Sequence, residues 1–258
     1  MIDLNFDEQT GLAEVVLNAP KKLNALDADN LQDLLAKLET AAASGAKALL
    51  LRGEGRGFCA GRDIALVDPA TDDVSAYLDG HVTAVMRALS EFPAPTFAAV
   101  HGACLGVGLG LALACDVVYV AESAKLGSPF ANLGATLDSG GHWLFTERLG
   151  PHRTLDLIYT AEFMNGREAV EQGLFSRWVA DDELLEFTRE RAIRVAGGAQ
   201  LAFAASKKLV HEIRDQRIGM WQSIANENTA QAELCSSSDY AEGFAAFQQK
   251  RRPNFTGQ

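Results

Sequence analysis

The sequence predicts an α/β fold whose chain finishes in a helical region, and three features predict it. Short apolar or β-branched runs alternate with amphipathic stretches through the first half. Each run stops at glycine or polar residues. From Asp181 the periodicity turns helical and stays so to about Gln249. Taken in order, residues 13–17 read as a strand. Leu31, Leu34, Leu35 and Leu38 recur at helical spacing behind the capping residue Asp27, with Gly45 as the stop, so a helix fills that interval. Residues 48–51, 96–100 and 117–120 read as further strands, and α/β folds place their sites at the ends of such strands. Later, Asp181, Asp182 and Glu183 suit a first helical turn, Leu184, Leu185, Ala192 and Val195 keep the spacing, and Gly197-Gly198 ends the element. No internal repeat, low-complexity stretch or Pro/Ser linker is visible, so the helical tail reads as part of one protomer and as an oligomerisation layer.

Composition narrows the function classes. The 258 residues carry 23 Lys+Arg against 34 Asp+Glu, a net charge of −11, with 48% hydrophobic and 22% charged residues, an ordinary globular balance able to bury a core without metals. That charge argues against nucleic acid, which demands a basic face, but leaves room for a local basic pocket. Cys59, Cys104, Cys115 and Cys235 form no CxxC pair and no Cys/His metal spacing, so they read as reduced thiols or small core residues, consistent with a cytoplasmic setting. Residues 1–5 show no basic segment ahead of an apolar one, which argues against a signal peptide. The longest uncharged run, between His101 and Asp116, is shorter than the roughly 20 residues of a membrane span.

Two glycine-rich segments, 52–63 and 102–110, follow predicted strands. Neither is a dinucleotide fingerprint, because Phe58 and Leu111 stand where the third glycine is required, and no Walker lysine is present. Gly106 and Gly110 form a GxxxG, for which close packing inside a soluble fold is one reading. The other is a helix start where backbone N–H groups meet an anion or oxyanion, since helix glycines each cost close to 1 kcal/mol relative to alanine.

The segments Asn18-Ala19-Pro20-Lys21-Lys22-Leu23-Asn24-Ala25-Leu26, Gly57-Phe58-Cys59-Ala60-Gly61-Arg62-Asp63-Ile64, His101-Gly102-Ala103-Cys104-Leu105-Gly106-Val107-Gly108 and Leu113-Ala114-Cys115-Asp116 resemble the enoyl-CoA hydratase/isomerase (crotonase) superfamily. Ser139-Gly140-Gly141, the stretch from Asn165 to Leu174 and the stretch from Asp239 to Phe255 extend the resemblance over essentially the whole chain. It implies a crotonase-like spiral of ββα units over 1–195 and a helical region over 196–258 that assembles a homotrimer or a dimer of trimers. It also implies an acyl-CoA thioester as partner, with CoA as part of the substrate and no separate cofactor, metal, membrane or nucleic acid. The oxyanion hole then falls on the backbone N–H groups of Arg62 and Val107; only the amides act, so valine in place of the usual glycine need not abolish it. CoA-binding positions fall on Lys21, Lys22, Ala60, Asp63, Ile64, Phe247 and Lys250, although solvated surface charge also explains the lysines. Phe130 and Trp143 become acyl-pocket wall or core.

The acids decide the chemistry. The resemblance places the two glutamates of the hydratases on Gly110 and Phe130, so both carboxylates are missing. Asp138, in Leu137-Asp138-Ser139-Gly140-Gly141-His142-Trp143, instead resembles the acid of the isomerases, most of all the ring-1,2-epoxyphenylacetyl-CoA isomerase type. The expectation is an acyl-CoA isomerase with Asp138 as proton shuttle. Alternatives are a helix-cap role for Asp138, an enoyl-CoA hydratase using another acid, a dehalogenase-like nucleophile (against which Phe130 and Thr83 stand where that branch has Trp and His), and a non-catalytic CoA-binding scaffold. Asp116 and Asp63 read as structural, and His81 and His142 as surface or pocket-lining.

Overall fold

Leu49, Leu50 and Leu51 follow one another and are all fully buried, the mark of a strand covered on both faces. They belong to β3 (Ala48–Gly53) in a computed structural model that describes residues 1–65 and 67–258. Before it come β1 (Ile2–Asp7), β2 (Leu12–Leu17) and α1 (Ala28–Ala43), which starts on the expected cap: the Asp27 side chain accepts from Asn30 N–H. After β3 the chain runs β4 (Gly57–Cys59), α2 (Val74–Tyr77), a π-helical turn (Leu78–Val82), α3 (Thr83–Ser90), β5 (Thr96–Val100), β6 (Ala103–Leu105), α4 (Val107–Ala114), β7 (Val117–Ala121) and β8 (Lys125–Gly127). Then follow α5 (Gly141–Leu149), α6 (Pro151–Thr160), α7 (Gly166–Glu171), β9 (Arg177–Val179), α8 (Leu184–Ala196), α9 (Gln200–Gln216), α10 (Met220–Leu234) and α11 (Ser238–Gln248).

Among the described residues the strands form a six-stranded sheet, ordered β1-β2-β3-β5-β7-β9, and a three-stranded sheet, β4-β6-β8. All pairings are parallel except β1 with β2. Each of the pairs β3/β4, β5/β6 and β7/β8 gives one strand to each sheet and is followed by helix, so the chain advances as a spiral of ββα units. α8 packs along β2, β3, β5 and β7 of the large sheet, and β4 of the small sheet lies against β3 and β5. The four central strands and the helix behind Asp27 match expectation. β1, β4, β6, β8 and β9 were not predicted: the last four have three residues each, too few to show a period, whereas the six of β1 alternate apolar and polar and were overlooked. Asp181 also differs from expectation: α8 begins only at Leu184, and the Asp181 carboxylate instead accepts from Ser123 N–H and Oγ.

α4 runs through the middle of the spiral. Its residues Val107 to Leu113 are all buried, apolar on every side, as a helix enclosed by other elements must be. Cys59, Cys104 and Cys115 are buried and Cys235 is exposed. Asp116 is structural, accepting from Thr96 N–H and from Lys207 Nζ, each at 2.9 Å, which ties α9 to the β5–β7 layer. No helix among the described residues is long and apolar enough to cross a membrane, and none of their His, Cys, Asp and Glu side chains cluster as metal ligands.

The spiral's first turn is held by Asn24, which is 1% exposed and adopts a left-handed φ of 57°. Its Nδ2 donates to the carbonyls of Glu54 (2.9 Å), Gly57 (2.8 Å) and Phe58 (3.1 Å), and its Oδ1 accepts from Ala19 N–H at 2.8 Å. One side chain therefore joins the loop before α1 to the β3–β4 turn. Asn24→Ala leaves those buried groups unpaired and should cost about 2–4 kcal/mol, read as a lower urea midpoint with an unchanged slope.

Candidate active site

The chain leaves β4 as Ala60-Gly61-Arg62, flanked on one side by the Leu23–Leu26 segment. Ala60 N–H donates to Leu23 O, Leu26 N–H to Gly61 O and Asp63 N–H to Leu26 O, each at 2.9 Å. In the parallel bridge between Leu26 and Arg62, Leu26 bonds to the residues on either side of Arg62, so Arg62 N–H faces away from Leu26. The opposite edge is occupied by the β6–α4 junction. A Cβ on Gly61, whose φ is 96°, would fall 2.8 Å from Leu105 O and 3.7 Å from Val107 N; a Cβ on Gly108 would fall 2.4 Å from Cys59 O. The strand and the helix start are thus in backbone contact, and glycine makes that possible.

Val107 is the first residue of α4, where N–H groups lack an intrahelical acceptor. Gly106 before it has φ 52° and ψ −122°, a conformation that turns the chain sharply into the helix. Neither Arg62 N–H nor Val107 N–H has an acceptor among the described residues. The Phe130 ring stands 3.4 Å from where a Cβ on Gly106 would be, making an apolar wall beside the Val107 amide.

One turn further along α4, a Cβ on Gly110 would meet Ser139 Cβ at 2.6 Å, so the Asp138-Ser139 corner lies against the helix roughly 4.5 Å along its axis from Val107. Asp138 is half-buried, and its side chain accepts from Ser139 Oγ at 2.8 Å. Burial raises its pKa above the ordinary aspartate value; the Ser139 hydrogen bond and the nearby Arg62 guanidinium oppose that rise. The helix-cap reading finds no support. α5 is preceded by Gly140 in the left-handed conformation with no side-chain cap bond, and it is the Asp138 backbone carbonyl that accepts from Gly141 N–H, at 2.8 Å.

The structure therefore brings together Arg62, Val107, Phe130 and Asp138, which the sequence spreads over 76 positions (138 − 62). Beside them Lys22 Nζ pairs with Asp63 Oδ2 at 2.7 Å, and Asp63 Oδ1 also accepts from Ala65 N–H at 3.1 Å. Ala60 is partly buried in the same strand exit, Ile64 is 54% exposed, and Lys21 is exposed on the turn Pro20–Lys22. Trp143 faces the Arg214 guanidinium of α9, 5.3 Å above its ring. Phe247 and Lys250 lie at the end of α11, where Phe247 lines an apolar cavity of about 390 Å³ with Leu234, Tyr240, Phe244 and Phe255. His142 turns to Thr136 Oγ1 at 3.1 Å, and His81 lines a cleft with Arg62, Asp72 and Tyr77.

Sequence reasoning missed how the Arg62 side chain is held. Its guanidinium forms a two-pronged pair with Asp72 (2.8 and 2.6 Å) and lies 4.1 Å above the Tyr77 ring, while Tyr77 Oη donates to Leu26 O at 3.1 Å. Tyr77 is the only aromatic residue between Phe58 and Phe92, a hint that it has a specific seat. Asp72 offers no such signal.

Fold and site together set two backbone amides without acceptors among the described residues beside a half-buried acid. The chain belongs to the enoyl-CoA hydratase/isomerase family, whose pattern matches residues 7–258. It is 36% identical over 256 residues to a Rhodobacter capsulatus protein named "Probable enoyl-CoA hydratase", covering 98% of each chain. It is 30% identical over 256 residues to the 1,2-epoxyphenylacetyl-CoA isomerase of Escherichia coli, covering 96% of each. The crystal structure of an enoyl-CoA hydratase from Bacillus anthracis superposes with a TM-score of 0.90 at 27% identity, covering 100% of this chain and 99% of that one.

Two predictions follow from this geometry. Gly108→Ala should lower both thermal stability and thioester turnover, because its Cβ meets the Cys59 carbonyl rather than a yielding side chain; Gly80→Ala, which meets nothing within 4 Å, should lower neither. Asp138 has a raised folded-state pKa, so the native state binds more protons than the unfolded one between the ordinary aspartate value and the raised one. Stability therefore falls as pH rises through that window, and the cost persists at neutral pH. Asp138→Asn should melt no lower than wild type at pH 7, with any gain vanishing below the ordinary aspartate range; a clear loss of melting temperature at pH 7 would contradict this assignment.

Proposed function

We propose that this enzyme is an acyl-CoA isomerase that moves a double bond, or rearranges a ring epoxide, through a thioester enolate. The observation that carries the reading is the single acid: Asp138 sits one helical turn from the Val107 amide, whereas Gly110 and Phe130 supply no second carboxylate. The resemblance puts the hydratases' glutamates at those two positions. Hydration needs groups to orient and deprotonate a water, while isomerisation needs one base that removes a proton and returns it.

With a 3-enoyl thioester, the carbonyl oxygen lies between Arg62 N–H and Val107 N–H. The Asp138 carboxylate takes a proton from C2, and the C–H electron pair moves into the C1–C2 bond as charge builds on the oxygen held by the two amides. The protonated Asp138 then returns the proton to C4, the C3–C4 double bond shifts to C2–C3, and the carbonyl re-forms. Nothing is oxidised and no water is consumed. The Phe130 wall keeps the path apolar, and the raised pKa of Asp138 brings its basicity closer to that of the carbon acid.

We assign the nucleotide end of CoA to Lys21, Lys22, Ala60, Asp63 and Ile64 at the mouth of the site, with Phe247 and Lys250 contributed across an assembly of copies. Trp143 is the outer part of the acyl wall. The exposed Met220, Trp221, Phe244 and Phe247 of α10 and α11 support a homotrimer or a dimer of trimers. Hydration is the second reading, because hydratase is the more frequent name among relatives.

Incubation with 3-enoyl-CoA, 2-enoyl-CoA and ring-epoxide thioesters, with products resolved by mass and absorbance, separates the two. The isomerase reading expects rearrangement with no change of mass; efficient addition of water to the 2-enoyl thioester would overturn it. Asp138→Asn should keep thioester affinity and lower turnover roughly 10²- to 10⁴-fold.

A further inference from the structure

The corner that carries Asp138 is more tightly specified than a proton carrier alone requires. Ser139 has φ 51°, a left-handed conformation unfavourable for a residue with a side chain. It is held there from two sides. Across the corner lies Gly110 of α4, where an added Cβ would come within 2.6 Å of Ser139 Cβ and 2.8 Å of Ser139 O; Ser139 fills the space that a side chain on α4 would claim. Behind it, Leu137 is buried against Gly141, and Gly141 N–H donates to the Asp138 carbonyl. With the backbone fixed on both flanks, Ser139 Oγ reaches Asp138 Oδ1 at 2.8 Å.

We infer that Ser139 is a positioning residue for proton transfer: seated by the bare backbone of Gly110, it occupies Oδ1 of Asp138 and leaves Oδ2 as the oxygen that carries the proton. This rests on the reading of Asp138 as the base. A carboxylate with two equivalent oxygens can rotate about its Cβ–Cγ bond, and a proton lodged on the wrong oxygen is not delivered to C4. A hydroxyl donated to one oxygen removes that degeneracy and favours the charged form.

Other groups facing the carboxylate are few. Arg62, from the segment after β4, acts on it electrostatically, and the carboxylate in turn helps to raise the pKa of the neutral Tyr77 phenol of α2. α4 contributes no titratable side chain between Val107 and Ala114, His142 of α5 turns to Thr136, and α3 offers the Met86 methyl near Gly140. Arg62 favours the carboxylate too, and it stays in place when the hydroxyl is removed, so the contribution of Ser139 can be measured separately.

The test compares Ser139→Gly, which deletes the hydroxyl while supplying a residue at ease with a φ of 51°, and Ser139→Ala, which deletes it and keeps the backbone strain. Turnover of a 3-enoyl-CoA is followed from pH 4 to 10 beside Asp138→Asn, with melting temperatures for all. Both Ser139 variants should lose roughly 10- to 100-fold in kcat with KM little changed. The acidic limb of their kcat/KM profile should move to higher pH, since the hydrogen bond no longer favours the carboxylate. Ser139→Gly should melt no lower than wild type. Gly110→Ala, which displaces Ser139, should reproduce the shifted limb in folded protein. Wild-type kcat and an unmoved limb in Ser139→Gly, beside an inactive Asp138→Asn, would overturn the positioning role and leave the base standing. An active Asp138→Asn would remove the base itself.

Discussion

At the end of β4 the chain passes so close to the start of α4 that no side chain fits between them, and the rest of the molecule is arranged around that contact. The missing Cβ atoms of Gly61 and Gly108 point at the carbonyls of Leu105 and Cys59. Only that approach sets a strand N–H and a helix-start N–H at one place. The two sheets keep it: β4 and β6 are neighbours in the small sheet, with a register shift between Gly57 and Cys59, and their preceding strands β3 and β5 are neighbours in the large one, so successive ββα turns run side by side at both ends. α4 can be apolar on every side because it is enclosed, and its enclosure strengthens the electrostatic effect of its first amide.

Around the contact, polar side chains fix the surrounding loops. Asn24 ties the loop before α1 to the β3–β4 turn, and the same loop donates to and accepts from the strand that carries Arg62. The Arg62 side chain is held by Asp72 and Tyr77, so the residue whose amide faces the site is fixed from its own far end. Asp138 stands within the field of that guanidinium, yet burial outweighs it and raises its pKa. A half-buried acid kept basic at a cost to stability fits a group retained for chemistry.

Much of this was legible in the sequence. Leucines at helical spacing behind Asp27 gave α1, and the continuous apolar runs gave β2, β3, β5 and β7, since each is a long element with a period or composition of its own. The spiral came from the family resemblance and not from any repeat in the residues, because its turns share backbone geometry and not residue types: β4 is Gly-Phe-Cys, β6 is Ala-Cys-Leu and β8 is Lys-Leu-Gly. Arg62, Val107 and Asp138 came from motif resemblance, and the structure gathers them. The seat of Ser139 on Gly110 and the hold of Asp72 on Arg62 were beyond reach, because each joins segments that no local pattern relates.

The central claim is that one acid carries one proton between two carbons of a sheltered thioester. The most direct measurement is turnover of a 3-enoyl-CoA in D₂O enriched in ¹⁸O, with label located in the product by mass spectrometry and NMR. The account predicts a migrated double bond, some of the original C2 hydrogen at C4 because the apolar pocket limits exchange, and no ¹⁸O in the acyl chain. Solvent ¹⁸O on the β-carbon would show that water, and not the proton alone, is what the site delivers, and would contradict the account.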